Sequence, residues 1–212
     1  MVGEGVLYEC LNSPYIESVL VISRKPTGYT HAKLKEIIHS DFYNITPIAN
    51  QLVGYNACYF CLGVSSVGMK EEEFFNKTHT LTLNFAKTLS DINPDVVFCY
   101  VSGSGTDSTE KGRTMWARVK GKTENDLMKL PFTKVYAFRP GYMHPTKGLK
   151  NTLSAYKYIS WMYPIVKAIS TNYASTLADL GQAMIGVTRL PAKTIVEVRD
   201  IVALANTNRA KA

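Results

Sequence analysis

The stretch Asp95-Val-Val-Phe-Cys-Tyr-Val101 constrains the fold more than any other, because it is apolar on both faces and opens directly into Ser102-Gly-Ser-Gly-Thr106. A strand with no face left for water reads as the interior of a parallel sheet. Such sheets bind their ligands beyond the carboxyl ends of their strands, so a loop of small residues at that end is a natural ligand approach. The next segments fit the same scheme: a helix from near Thr109 to Met128, interrupted by Gly112 and Gly121, then a strand over Lys134–Phe138 that ends at Arg139-Pro140-Gly141. Strand, loop, helix and strand at these intervals predict a right-handed parallel α/β sheet covered on both faces.

Upstream, the pattern predicts a helix from Gly3 to Asn12, a strand from Glu17 to Ser23, and short strands at His39–Tyr43 and Ala57–Leu62, the latter stopped by Gly63. A long helix follows from Glu71 to Asp91, with Phe74, Thr78, Leu81, Phe85 and Leu89 near one face and Asn93-Pro94 at its end. After Gly148 the texture changes. Tyr156, Tyr158, Trp161, Met162 and Tyr163 crowd together, ahead of a helix at Ser175–Ile185 and strand-like alternation at Ile195–Val202. Residues 1–150 are therefore expected to form one domain and 151–212 a small C-terminal lobe. The aromatics read first as lobe core, with a substrate wall or a homodimer face left open.

Composition narrows the function classes. At 212 residues and 46% hydrophobic, the chain is long and apolar enough for a real core. The formal charge of +7 is spread along the sequence, with Lys111-Gly-Arg113 and Arg118-Val-Lys120-Gly-Lys122 as its densest clusters. That is not the long basic stripe of a nucleic-acid surface, so no nucleic-acid partner is expected. No run reaches the apolar length of a membrane span, and Met1-Val-Gly-Glu-Gly shows no export signal, so a cytoplasmic protein without a membrane partner is expected. Cys58-x-x-Cys61 has metal-ligand spacing, but in a strand its side chains point to opposite faces. Core cysteines and no metal are the expectation.

The strand ends at Arg24-Lys25, Leu62-Gly63, Ser102–Thr106 and Arg139–Gly141 are the places to look for a site. Two cations and no acid after the first strand suit a 2′-phosphate, which leans toward NADP with NAD as the alternative. Taken together, Val2-Gly-Glu-Gly5 opening a helix, Cys61-Leu-Gly63 after a strand, Tyr100-Val-Ser-Gly-Ser-Gly-Thr-Asp107, Trp116-Ala-Arg-Val-Lys120-Gly and Phe138-Arg-Pro-Gly141 are five motifs in one order. In that order they resemble the atypical short-chain dehydrogenase/reductase family, in the branch similar to the Tat-interacting oxidoreductase and the NAD-dependent epimerases.

The resemblance implies a Rossmann-like, doubly wound parallel sheet with NAD(P)-dependent oxidoreduction of a small carbonyl or hydroxyl substrate. It implies that Gly3 meets the pyrophosphate and that Gly5 lets the first helical turn pack close to the sheet. Asp41 and Phe42 would flank adenine, and Leu62-Gly63 would pass the adenosine ribose. Ser102 or Ser104 would meet the substrate carbonyl, Lys120 the nicotinamide ribose, and Pro140 and Gly141 the carboxamide, with Arg139 beside them in the cofactor-binding set. Two departures stand out. The family's acidic tyrosine is replaced by Trp116, whose indole donates a hydrogen bond but cannot cycle a proton. Tyr142, His144 and Ser104 are left open as relays. A non-catalytic, dinucleotide-sensing protein is the rival reading. The family also has a buried strand and two more loop glycines ahead of Gly3, so the sheet is expected to lack its usual first strand, through a late start first and a truncated product as the alternative.

Overall fold

The computed structural model describes residues 1–146, 148–150 and 174–211. The aromatic stretch 156–163, expected to be lobe core, lies outside them. The chain divides into two compact units whose bounds differ from 1–150 and 151–212. One comprises Met1–Ser40, Pro140–Ala192 and Glu197–Ala212; the other comprises Asp41–Arg139 and Lys193–Val196.

The second unit holds a four-stranded sheet in the order β3 (Ala57–Phe60), β4 (Val97–Val101), β5 (Lys134–Arg139), β8 (Ile195–Glu197). Strands β3, β4 and β5 run parallel, with Cys58 opposite Phe98 and Tyr100 opposite Ala137. The apolar run of β4 is buried as its composition demands: Phe98, Cys99 and Tyr100 are inaccessible, and so are Ala137 and Phe138 beside them. Aromatic rings knit the sheet to its covering layer, Phe60 lying 5.2 Å from Phe85 and 5.8 Å from Phe98, and Phe98 5.0 Å from Phe132. Each such burial contributes about 1.5–3 kcal/mol.

The covering helix is not regular. It starts as α2 (Glu71–Phe75), widens to a π-helical turn at Asn76–Thr80, and continues as α3 (Leu81–Ile92). The wide turn stacks His79 on Phe75 at 4.4 Å and places its Nε2 2.9 Å from Asp126. A cavity of about 410 Å³ opens there, lined among others by Leu83, Lys87 and Leu130.

Helix α4 occupies Met115–Leu127, shorter than the expected 109–128. The reason is Asp107. Its carboxylate accepts hydrogen bonds from the backbone N–H groups of Thr109 and Gly112, which closes the preceding segment into a turn. Gly121 does not interrupt the helix. It lets α4 press onto that turn, where a Cβ would lie 1.8 Å from the Asp107 carbonyl oxygen.

In the first unit, α1 (Val2–Asn12) packs on α5 (Leu177–Gly186). Gly5 faces Leu177 at 3.0 Å from a notional Cβ, so this close approach is to a helix. Thr176 caps α5 in a capping box with Asp179. A polar chain from Glu9 through Gln182 and Asn208 to Arg189 ties α1, α5 and α6 (Val198–Ala210) together. Strand β1 (Val19–Ser23) pairs in parallel with β2 (Leu34–Ile38), and β6 (Tyr142–His144) with β7 (Ala174–Thr176).

Two further sequence expectations need correction. The second strand is Leu34–Ile38 rather than His39–Tyr43, where Asp41 instead bends the chain by accepting the Tyr43 N–H. Lys35 and Glu36 are exposed on it, so its composition hides it. The Ile195–Val202 alternation is strand only to Glu197, and the chain then enters α6. Among the described residues, strand β1 and strand β3 each have one ladder partner and stand at the end of separate sheets.

The Gly121 contact is with backbone, which cannot swing aside. Gly121→Ala should cost about 3 kcal/mol, at the upper end of overpacking penalties, measured by urea unfolding; an unchanged midpoint contradicts the close approach.

Candidate functional site

The carboxyl end of β4 is fixed by its neighbour. The Ser102 N–H donates to the Phe138 carbonyl at 2.8 Å, and its hydroxyl donates to the same oxygen at 3.1 Å. The side chain is buried and turned toward β5. Beyond it the chain makes a tight turn, with Thr106 N–H and Oγ1 both donating to the Gly103 carbonyl. Gly105 has φ +85°, a left-handed conformation, and a Cβ there would stand 3.5 Å from the Trp116 indole. Of the two hydroxyls left open by the sequence, Ser102 is spent on backbone, and Ser104 is half-buried in the turn.

Lys120 lies one helical turn after Trp116 on α4 and reaches the strand end, where its ammonium donates to the Ser102 carbonyl. Burial pushes this ammonium below the ordinary lysine value, while the Glu124 carboxylate pushes it up. Trp116 and Lys120 line a cavity of about 230 Å³ together with Val64, Ser65, Ser66 and Phe74. Burial pushes the Tyr100 phenol on β4 up, which keeps it protonated at neutral pH.

Arg139 answers a second buried charge. Its guanidinium grips Glu124, with Nε donating to Oε1 at 3.1 Å and NH2 to Oε2 at 2.5 Å, and it also reaches Ser108 Oγ at 2.5 Å. Glu124 is wholly inaccessible and Arg139 nearly so. The structure thus gives Arg139 a partner four residues after Lys120 on the helix.

The other candidates divide between the units. In the same unit, Phe42 is buried 6.5 Å from the Phe85 ring, Asp41 shapes its own turn, and Leu62 and Gly63 follow β3. Nothing lies within 4 Å of a Cβ built on Gly63. In the other unit, Gly3 is exposed in the first turn of α1, Gly5 is buried, Arg24 and Lys25 are exposed after β1, and Pro140 and Gly141 precede β6. Tyr142 and His144 are on β6 itself. Cys58 and Cys61 are free thiols, and burial pushes Cys61 up to about 12 and Cys58 further. Among the described residues no cluster of three His, Cys, Asp or Glu could hold a metal.

Sequence reasoning missed Ser65, Ser66 and Glu124. The serines were within reach, since they follow Leu62-Gly63 at a strand end. Glu124 had a weaker signal, its i+4 spacing from Lys120. The His79–Asp126 pair had none, because the π-helical turn that joins it breaks the helical period.

No family model matches the chain. It is similar to the mitochondrial protein FMP52 of Candida albicans, 25% identical over 219 residues that cover 97% of this chain and 94% of the relative. It is also similar to mitochondrial fmp52 of Emericella nidulans, 26% identical over 153 residues that cover 66% of this chain and 62% of the relative. Among solved structures it resembles the enzyme WbmG of Bordetella bronchiseptica in complex with NAD, at TM-score 0.62 and 13% identity, over 100% of this chain and 76% of that one. It also resembles the dTDP-glucose 4,6-dehydratase DesIV of Streptomyces venezuelae with NAD bound, at TM-score 0.63 and 12% identity, over 97% and 77%. The fold is Rossmann-like, as in these two structures and in a UDP-galactose 4-epimerase. Both FMP52 relatives are named mitochondrial, which overturns the expectation of a cytoplasmic protein. That expectation rested on a missing export signal, and such a signal says nothing of mitochondria. No helix among the described residues is long and apolar enough to cross a membrane.

Removing one partner of a buried pair strands the other charge. Glu124→Ala should cost about 3–5 kcal/mol in thermal unfolding, and pairing Glu124→Leu with Arg139→Met should recover most of it. A mild single-variant effect would mean that Arg139 has water to fall back on.

Proposed function

We propose that this chain binds a nicotinamide dinucleotide and carries out NAD(P)-linked oxidoreduction of a small carbonyl or hydroxyl compound. The observation that carries the reading is Lys120, a half-buried cation brought to the carboxyl end of β4 and lining a cavity with Trp116, Ser65 and Ser66. An ammonium there fits ribose hydroxyls, and the open space at Gly63 leaves backbone accessible after β3. The residues present in this unit therefore fit the ribose–nicotinamide end of the dinucleotide. Ser104 is the hydroxyl proposed to meet the substrate carbonyl.

Taken by itself, the other unit offers Gly3 at the α1 N-terminus for a phosphate and the exposed Arg24 and Lys25 for a 2′-phosphate, which favours NADP over NAD. Pro140 and Gly141 are the backbone proposed for the carboxamide. When bound, the dinucleotide supplies the hydride chemistry; the chain holds, orients and shields it. The names of the FMP52 relatives support a mitochondrial location.

A second reading has its own observation. Trp116 stands in the cavity where a proton donor is needed, and it supports a protein that binds the dinucleotide without turning it over.

Calorimetric titration with NADPH and NADH tests the binding that both readings share. NADPH should bind more tightly than NADH, and Lys120→Ala should weaken NADPH at least about tenfold, the worth of one hydrogen bond to a charged group. Equal affinity for the two nucleotides removes the role of Arg24 and Lys25. An affinity untouched by Lys120→Ala removes the site.

A further inference from the structure

We propose that Lys120 is itself the proton donor of the reaction, delivering a proton from its ammonium to the oxygen of a carbonyl held in the cavity beside Trp116, Ser65 and Ser66. This rests on the dinucleotide reading above and adds to it the identity of the acid.

Elimination among the walls of one cavity points there. Val64, Phe74 and the Trp116 indole have no proton to exchange near neutral pH. The Ser65 and Ser66 hydroxyls, and that of Ser104 proposed to meet the carbonyl, can pass a proton along but not originate it at that pH. Tyr100 is buried and is not among the residues that line the cavity, and Glu124 is locked by the Arg139 guanidinium. That leaves Lys120. One of its N–H bonds is occupied by the Ser102 carbonyl, which holds the head group at the strand end and leaves the others for a ligand. Burial weakens the hold of nitrogen on its proton, moving the amine toward the range where general acids work best.

The balance closes with a reduced nicotinamide dinucleotide as the reductant. As the carbonyl carbon gains hydride, the C=O π pair moves onto oxygen, an N–H bond of Lys120 breaks and an O–H bond forms. Lys120 is left as a neutral amine and regains its proton from water. The product is the alcohol, and the dinucleotide leaves oxidised.

Two measurements on the whole chain test this. In the first, trace acetylation across about pH 7–11, read by peptide mass spectrometry, gives the titration midpoint of Lys120 beside those of the exposed Lys35 and Lys87. The Lys120 midpoint should fall at least about one pH unit lower. A midpoint equal to theirs overturns the proposal without any activity being needed.

In the second, NADPH-linked reduction of p-nitrobenzaldehyde should decline as pH rises through that same midpoint, because only the protonated amine can donate. Lys120→Arg keeps the charge but does not release a proton. Measured at saturating NADPH, it should lower reduction at least about a hundredfold. Reduction that survives in Lys120→Arg, or a pH limb displaced from the Lys120 midpoint, overturns the assignment while leaving the dinucleotide site intact. NADPH bound without any turnover of the aldehyde overturns it too, in favour of the non-catalytic reading. A wild-type chain that does not bind NADPH removes the parent reading and this one with it.

Discussion

Two opposite charges one turn apart on α4, the half-buried Lys120 and the wholly buried Glu124, shape much of the unit around β4. A buried ion without a partner costs several kcal/mol, so each must find one. Lys120 finds the Ser102 carbonyl at the end of β4, and Glu124 finds Arg139 at the end of β5. Gly121 stands between them and lets the helix come in against the Asp107 turn. The helix, the two strand ends and the loop that joins them are thereby held in one register. A site built on the carboxyl edge of a sheet needs that rigidity, because a displaced cation there would orient nothing.

How much of this was readable from residues depends on which physical signal each element carries. Strands β4 and β5 are buried on both faces, so their composition announces them. Strand β2 carries Lys35 and Glu36 on an exposed surface and therefore looks like a loop. Strand β8 is three residues long and runs straight into a helix, so alternation alone overestimates it. Lys120, Trp116 and the Ser-Gly-Ser-Gly turn were visible as a spaced pattern. What they touch was not, since a pattern along a chain says nothing of whether Ser102 turns toward Phe138 or toward a ligand. The pairing of Arg139 with Glu124 is the clearest case: both residues were in view, and their partnership is a property of packing.

The comparisons separate fold from chemistry. Identities of 12–13% to the WbmG and DesIV structures carry the architecture and leave the reaction to the site. In the cavity of this chain Trp116 and Lys120 stand side by side, and the proposed chemistry assigns the proton to the lysine. The relatives also correct the cell-biological expectation, since a leader-based argument addresses export alone.

The central claim, that the cavity beside Lys120 receives the nicotinamide end of a dinucleotide, has a built-in reporter. The chain has two tryptophans, Trp116 and Trp161, and Trp116 lines that cavity. In a Trp161→Phe variant, NADPH should quench the Trp116 emission along the same saturation curve as its binding, with sensitised emission from the dihydronicotinamide ring. NADPH that binds to saturation and leaves Trp116 emission unchanged would place the nicotinamide elsewhere and contradict the account.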